Sequence, residues 1–261
     1  MRAMTPARLV ALALVAICLP LQAVELSMLS AGAVEPGIRP ALAAFERSSG
    51  HTVKIDFAAA PALRAAVRAA RPSADVVVLT QGVLDELNAT GAGPASPVAP
   101  VGRVGVGVAV RPGVDAPDVS SAESLKAALA SADSVVFNRA STGLYVDQML
   151  RKLGVFDAVD AKSERLADGA SVMRRLLAGR AAHEFGFGAM TEIGLFRDQG
   201  LQLVGPLPAS LQNYTTYIAL PWPGAIPAEP ARAEAVAALM RYLQGAEARA
   251  LFAGAGIDAP R

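Results

Sequence analysis

Apolar strand-like runs alternate with helix-like segments along most of this chain, and this alternation limits the fold more than any other feature. Runs at residues 24–30, 53–57, 74–80, 104–110 and 134–137 are each followed by a helical segment. Continuous apolar strands that alternate with helices are typical of a mostly parallel sheet covered on both faces. The sequence therefore predicts an α/β fold.

The alternation is interrupted once and then restarts. Residues 91–100 are rich in Gly, Pro and Ala, which indicates a loop. Three further strands are predicted at residues 184–188, 201–207 and 214–220, and one helix at about residues 231–250. We expect two α/β lobes with a ligand cleft between them. Lobe 1 would comprise residues 24–102 with 215–261, and lobe 2 residues 103–214.

The N-terminus has the organisation of an export signal. Arg2 and Arg8 precede a short apolar run at residues 9–19, and Ala23 follows soon after. A basic start, a short apolar run and a small residue are typical of a cleavable secretory signal peptide, and the run is shorter than the roughly 20 residues that span a membrane. We expect residues 1–23 to be removed near Ala23, together with Cys18, and the mature protein to act in a bacterial periplasm.

Composition excludes several classes of protein. The chain has 24 Lys and Arg residues against 23 Asp and Glu residues, and this balance disfavours a nucleic-acid partner. Two histidines and one cysteine do not suffice for a structural zinc site. The sequence predicts no metal, no cofactor and no disulfide, so a hydrophobic core must hold the mature chain, which we expect to be a monomer.

The turns after the predicted strands are the candidate binding segments, because ligands of open α/β sheets gather at the carboxyl ends of strands. After the strand at 134–137 come Arg139, Ser141 and Thr142, which combine a guanidinium with free backbone amides. Such a combination favours a small anion. Ser30, after the first strand, would cap the next helix, face the ligand, or do both.

Four segments carry a resemblance to a known family. They are LSAGAVEPGIRPALAAFERSSGHTV at 29–53, ADVVVLT at 74–80, LRKLGVFDAV at 150–159 and LVGPLPASLQNYTTY at 203–217. In this order the chain resembles the periplasmic molybdate-binding-protein family, a branch of the type II solute-binding proteins. The resemblance implies two α/β lobes that close on a small anion.

The resemblance also implies a ligand set, with departures from the family pattern. The family's first serine corresponds to Ser30, and its backbone-amide donors correspond to Thr142 and a position near Val172. Its second serine falls at 57–61, where Ala60 and its neighbours carry no hydroxyl, and its tyrosine corresponds to Gly188. Each hydrogen bond lost to a buried charged ligand costs about 1.5–3 kcal/mol. The departures therefore favour a larger organic anion, a tricarboxylate, over molybdate, with Arg139 as an added donor.

Two functions from different classes follow from the resemblance. One is the activity of its aconitate isomerase branch, the interconversion of cis- and trans-aconitate by an allylic proton shift. The base for that shift is not fixed by spacing, and Tyr145, His183 and Glu184 are candidates by residue type. Each of the three also has an ordinary structural explanation. The alternative is the solute receptor of an ABC importer, which would have a membrane permease as partner.

Overall fold

The structure is a computed structural model that describes residues 23–58, 60–69, 74–91, 93, 98–222 and 229–260, without the side chains of Ala60 and Arg68. Its centre is a nine-stranded sheet. The strands are β1 Glu25–Ala31, β2 Thr52–Ala58, β3 Val76–Thr80, β4 Ala99–Val110, β5 Ser134–Asn138, β6 Ser163–Leu166, β7 Glu184–Ala189, β8 Gln202–Pro206 and β9 Tyr214–Pro221.

Helices cover the sheet and connect most of its strands. They are α1 Glu35–Ser49, α2 Ala60–Arg68, α3 Gln81–Ala89, α4 Ala122–Ser131, α5 Ser141–Lys152, α6 Phe156–Asp160, α7 Gly169–Ala178, α8 Met190–Gly194, α9 Pro230–Leu243 and α10 Ala246–Gly254. Local chemistry fixes several helix ends. Ser121 caps α4, because its hydroxyl accepts a hydrogen bond from the amide of Ser124 at 3.0 Å, and Gly50 ends α1 with φ of +74°.

The sheet contains two parallel groups joined by antiparallel strands. Its order is β2-β1-β3-β9-β4-β7-β5-β6, and β8 pairs with β4 outside this path. Strand β1 runs parallel to β2 and β3, and β5 runs parallel to β6 and β7. Strands β9 and β4 link the groups through antiparallel pairing. Each parallel group therefore has its own carboxyl edge, where loops and helix N-termini gather.

The long strand β4 belongs to both groups. Its first part, up to Gly105, pairs with β9, whereas Val106 and the residues after it pair with β7 and β8. The change of partner lies three residues after the lobe boundary predicted at 102/103. The lobe ranges themselves stay a prediction.

Each half of the sheet has its own hydrophobic core. One core includes Leu26 and Val76 from strands with Ile38, Leu239 and Phe252 from helices, and the other includes Val108, Phe137, Phe187, Leu125 and Met149. All of these side chains are buried. Complete burial of a Leu or Phe side chain contributes about 1.5–3 kcal/mol.

The sequence analysis did not predict strand β6, and it merged two helices into one. Strand β6 has the sequence SERL and is only partly buried, so it lacks the apolar pattern by which the other strands were predicted. The single helix predicted at 231–250 is wrong. Gly245 is extended (φ −74°, ψ 166°) and separates α9 from α10.

The predicted signal peptide lies outside the described residues except for its last position, Ala23. Within the described part of the chain, no helix is long and apolar enough to cross a membrane.

Candidate active site

One cavity of about 210 Å³ lies where the carboxyl ends of six strands meet. Residues at or after the ends of β1, β2, β3, β5, β6 and β7 contribute to its wall, so both parallel groups of the sheet take part. The lining residues are Ala31, Gly32, Ala33, Glu35, Phe57, Ala58, Thr80, Asn138, Ala140, Ser141, Thr142, Asp168, Gly169, Ala170, Arg174, Glu192, Leu195, Phe196 and Tyr217.

A side-chain cap shapes the turn between β5 and α5. The carboxamide oxygen of Asn138 accepts hydrogen bonds from the amides of Ala140 and Gly143, both at 3.0 Å. A Cβ on Gly143 would lie 1.5 Å from the carbonyl oxygen of Asn138, so only glycine fits there. This tight turn brings Ser141 and Thr142 to the cavity wall at the start of α5.

The turn between β6 and α7 supplies the second helix start. Asp168 caps α7, because its Oδ1 accepts a hydrogen bond from the amide of Ser171 at 2.7 Å. The next two residues, Gly169 and Ala170, line the cavity, and Arg174 adds a guanidinium one turn further along. Among the described lining residues Arg174 is the one cation. Helix N-termini and a guanidinium are favourable surroundings for a carboxylate.

The wall from the other parallel group is smaller and less polar. After β1 the chain makes a 3₁₀ turn at Gly32–Val34, and the hydroxyl of Thr191 donates to the carbonyl of Ala33. That bond ties α8 to the turn after β1. At the end of β3, Thr80 caps α3 by accepting from the amide of Val83 at 3.4 Å.

Three carboxyl groups line the cavity, and two of them have partners. Glu35 is 2.6 Å from the guanidinium of Arg39, and Asp168 is the cap of α7. The carboxyl of Glu192 makes no hydrogen bond or ion pair within the described part of the chain. Burial raises the pKa of Glu192 to about 7, and the nearby charges of Asp168 and Glu35 act in the same direction.

Tyr217 of β9 is the buried phenol of this cavity. Its side chain is buried, and burial raises its pKa above the ordinary value, an effect to which the charge of Glu192 adds. The hydroxyl therefore stays protonated at neutral pH and is a hydrogen-bond donor, not a base.

The structure brings two of the predicted ligand residues, Ser141 and Thr142, to the cavity. Ser30 is fully buried in β1, and its hydroxyl donates to the carbonyl of Ala31 at 3.2 Å; it caps no helix and does not line the cavity. Arg139 follows β5 as predicted, but its side chain is exposed and lies outside the lining set. The side chain of Ala60 is outside the described residues.

The other two predicted ligand positions point into the protein. Val172 is completely buried, and its amide donates to the carbonyl of Asp168 at 3.2 Å, so α7 uses the donor that was expected to bind a ligand. At Gly188 a Cβ would lie 2.4 Å from the Cε of Met173. The missing side chain at Gly188 therefore makes room for Met173 and does not enlarge the cavity.

None of the three candidate bases lines the cavity. The hydroxyl of Tyr145 donates to the carbonyl of Leu211, and burial raises its pKa. His183 is exposed and lies 3.4 Å from Asp133. Glu184 is buried at the first residue of β7, about 17 Å of strand from the cavity end.

Sequence reasoning missed Glu192, Arg174 and Tyr217. Glu192 lies four residues after the predicted strand at 184–188, within reach of the rule that ligands gather at the carboxyl ends of strands. Arg174 lies one turn inside a helix and Tyr217 within a strand, so turn sequences do not indicate them. Within the described residues, no group of three His, Cys, Asp or Glu side chains is placed to hold a metal ion.

The fold is that of the two-lobed solute-binding proteins. The structure superimposes on the Azotobacter vinelandii periplasmic molybdate-binding protein with a TM-score of 0.71 at 19% identity, over 90% of this chain and 100% of that one. It also matches the tungstate ABC transporter from Geobacter sulfurreducens with a TM-score of 0.67 at 15% identity, over 88% and 98% of the two chains. These comparisons confirm the predicted two-lobed α/β fold.

Sequence comparison gives the family. The model for "bacterial extracellular solute-binding protein" matches residues 26–258, and the chain belongs to that family. A relative from a Pseudomonas species, an aconitate isomerase, is 29% identical over 238 residues, which are 89% of this chain and 87% of the relative.

Proposed function

We propose that this protein is an isomerase that interconverts trans- and cis-aconitate in the cavity at the carboxyl ends of the strands. The similarity to an aconitate isomerase, which extends over 89% of this chain, supports this proposal. The reaction moves one proton and one double bond within the substrate and requires no redox step.

The observation that carries this proposal is the convergence of donors on one cavity. The starts of α5 and α7 supply amides and hydroxyls at Ser141, Thr142 and Gly169, and Arg174 supplies a guanidinium. A tricarboxylate needs several such donors at once. The same donors stabilise the negative charge that spreads from carbon onto the carboxylates when a proton leaves.

A solute receptor for an importer is the second candidate. The family match and the fold shared with molybdate-binding and tungstate-transporter proteins favour it. Fold does not fix function, however, since one scaffold supports several activities. A receptor would bind its anion unchanged and pass it to a membrane permease.

A direct assay separates the two functions. Purified mature protein is incubated with trans-aconitate, and cis-aconitate is measured by chromatography. We expect catalytic turnover, and we expect trans-aconitate to raise the melting temperature more than molybdate does. Tight molybdate binding without any cis-aconitate would support the receptor and contradict the isomerase.

We also propose that the protein works in the periplasm. The basic and apolar order of residues 1–23 supports export, and the structurally similar Azotobacter protein is periplasmic. Fractionation of cells that express the full chain tests this, with a product shortened at Ala23 expected in the periplasmic fraction.

A further inference from the structure

The carboxyl of Glu192 occupies a defined place in the cavity wall. A Cβ on Gly169 would lie 2.1 Å from its Oε2, and a Cβ on Gly32 would lie 3.2 Å from its Oε1. The carboxyl therefore fills the space that two glycines leave open, one at the start of α7 and one after β1. Any larger residue at Gly169 would force the carboxyl to move.

The groups around Glu192 leave its carboxyl unpaired. The charged and titratable groups that act on it are Glu35 of α1, the α7 cap Asp168 and the phenol of Tyr217. Glu35 and Asp168 already have partners, and Tyr217 is a neutral donor. Within the described residues, Glu192 is thus the one cavity carboxyl that is free to bond a substrate.

We propose that Glu192 is the catalytic residue that carries the proton in aconitate isomerisation, an inference that rests on the proposed function. Its carboxylate takes a proton from the methylene carbon of trans-aconitate, and the C–H electron pair enters a conjugated system shared with the double bond and its carboxylates. The protonated Glu192 then returns the proton to the former vinylic carbon. The double bond has shifted, and the carboxylate is restored.

The protonation behaviour of Glu192 suits this role. With a pKa of about 7, both the acid and the base form are populated near neutral pH, so one group can accept the proton and give it back. Tyr217 cannot replace it as the base, because its raised pKa keeps the phenol protonated.

The test compares Glu192→Gln with wild type and with Glu123→Gln, a matched change at an exposed position in the first turn of α4. We expect Glu192→Gln to lower kcat at least about 100-fold and to bind trans-aconitate within about tenfold of wild type by calorimetry. Glu123→Gln should behave as wild type. In the wild-type pH profile the acid limb should fall near pH 7, and Glu35→Gln should move it to lower pH, because one repelling charge is lost.

Each outcome has a distinct meaning. Turnover by Glu192→Gln above one tenth of the wild-type rate would overturn the inference and leave the proposed function intact. Loss of both turnover and binding in Glu192→Gln would make Glu192 a structural residue. An acid limb that Glu35→Gln does not move would also count against its catalytic role. Either result would overturn the inference and leave the proposed function intact. A wild-type protein that does not convert trans-aconitate would overturn the proposed function and the inference together.

Discussion

Two glutamates lie on either side of strand β7, Glu184 at its first residue and Glu192 in the short helix α8 that follows it, and their surroundings differ. Glu184, at the first residue of β7, is buried at 1% exposure and lies 3.2 Å from the guanidinium of Arg175. Glu192, just beyond the last residue of β7, faces two other carboxyls and has no internal partner among the described residues. The carboxylate of Glu184 is thus paired with a guanidinium inside the protein, whereas burial without a cation partner raises the pKa of Glu192 and leaves its carboxyl open to chemistry.

A glycine at each end of helix α7 makes room for one of these two glutamates. Gly169, its first residue, leaves room for the carboxyl of Glu192, and Gly179, just after its last residue, leaves room for that of Glu184. A Cβ at Gly179 would lie 1.7 Å from the Oε2 of Glu184. The C-terminal end of α7 therefore accommodates Glu184, which pairs with Arg175 inside the protein, and its N-terminal end accommodates Glu192, which lines the cavity.

The largest expected effect is on the pH dependence of stability. In the folded protein Glu192 stays protonated up to about pH 7, whereas in the unfolded chain it ionises near 4.5, the ordinary pKa of a glutamate. The folded state therefore binds more protons between these values, and the free energy of unfolding falls by about 3 kcal/mol as pH rises through this range. Denaturant titrations at several pH values should show this fall in wild type and not in Glu192→Gln. Parallel curves for the two proteins would contradict the raised pKa.

The second prediction uses the two glycines of α7. Gly169→Ala should displace the carboxyl of Glu192 and lower kcat about 100-fold, equivalent to a barrier higher by about 2.7 kcal/mol, with little effect on folding because only a side-chain end must move. Gly179→Ala should disturb the Glu184–Arg175 pair, lower the melting temperature and leave kcat near the wild-type value. Steady-state kinetics and thermal melts on both variants check this, and equal losses of kcat would remove the distinction between the two ends.

A neighbouring pair of arginines gives a smaller effect. Arg174→Ala should weaken trans-aconitate binding about tenfold, or about 1.4 kcal/mol, because Arg174 lines the cavity. Arg175→Ala should instead lower the melting temperature and leave binding unchanged, since it removes the partner of buried Glu184. Arg139→Ala should weaken binding less than Arg174→Ala, because Arg139 lies outside the cavity lining. Calorimetric titration of the three variants with trans-aconitate measures the loss of affinity. A larger loss in Arg139→Ala than in Arg174→Ala would place the binding site outside the cavity, next to Arg139.

Removal of metal ions should have the smallest effect. No three potential ligands among the described residues are placed to share an ion, so turnover should survive prolonged treatment with EDTA. Activity that EDTA abolishes and a divalent cation restores would show that the cavity carboxyls act as metal ligands.

The fold was predictable because it depends on the alternation of apolar strands with helices, and this pattern occurs many times along the sequence. Apolar strands such as Val76–Thr80 are buried on both faces and stand out from the helices around them. Strand β6, with one apolar residue in four, carries no such signal and is held by pairing with β5. Strand β6 is therefore defined by its pairing with β5 in the folded sheet, which its own four residues do not indicate.

The site was predictable only in part, for a physical reason. Ser141 and Thr142 belong to a local turn, and turn chemistry is visible in sequence. Glu192 differs from Glu184 only through residues distant in the chain, namely Glu35 and Asp168 on one side and Arg175 on the other. Residue type gave Glu184 as one of three candidate bases and did not indicate Glu192, because tertiary neighbours, which sequence spacing does not give, decide which glutamate is paired.

The most direct test follows carbon-bound protons by NMR while the protein converts trans-aconitate in D₂O. Wild type should form cis-aconitate and bring solvent deuterium into it, because the proton taken up by Glu192 can exchange at the cavity before it returns to carbon. Glu192→Gln, with trans-aconitate bound, should form cis-aconitate and incorporate deuterium at least about 100-fold more slowly. Deuterated cis-aconitate formed by Glu192→Gln at the wild-type rate would contradict the assignment of the proton transfer to Glu192.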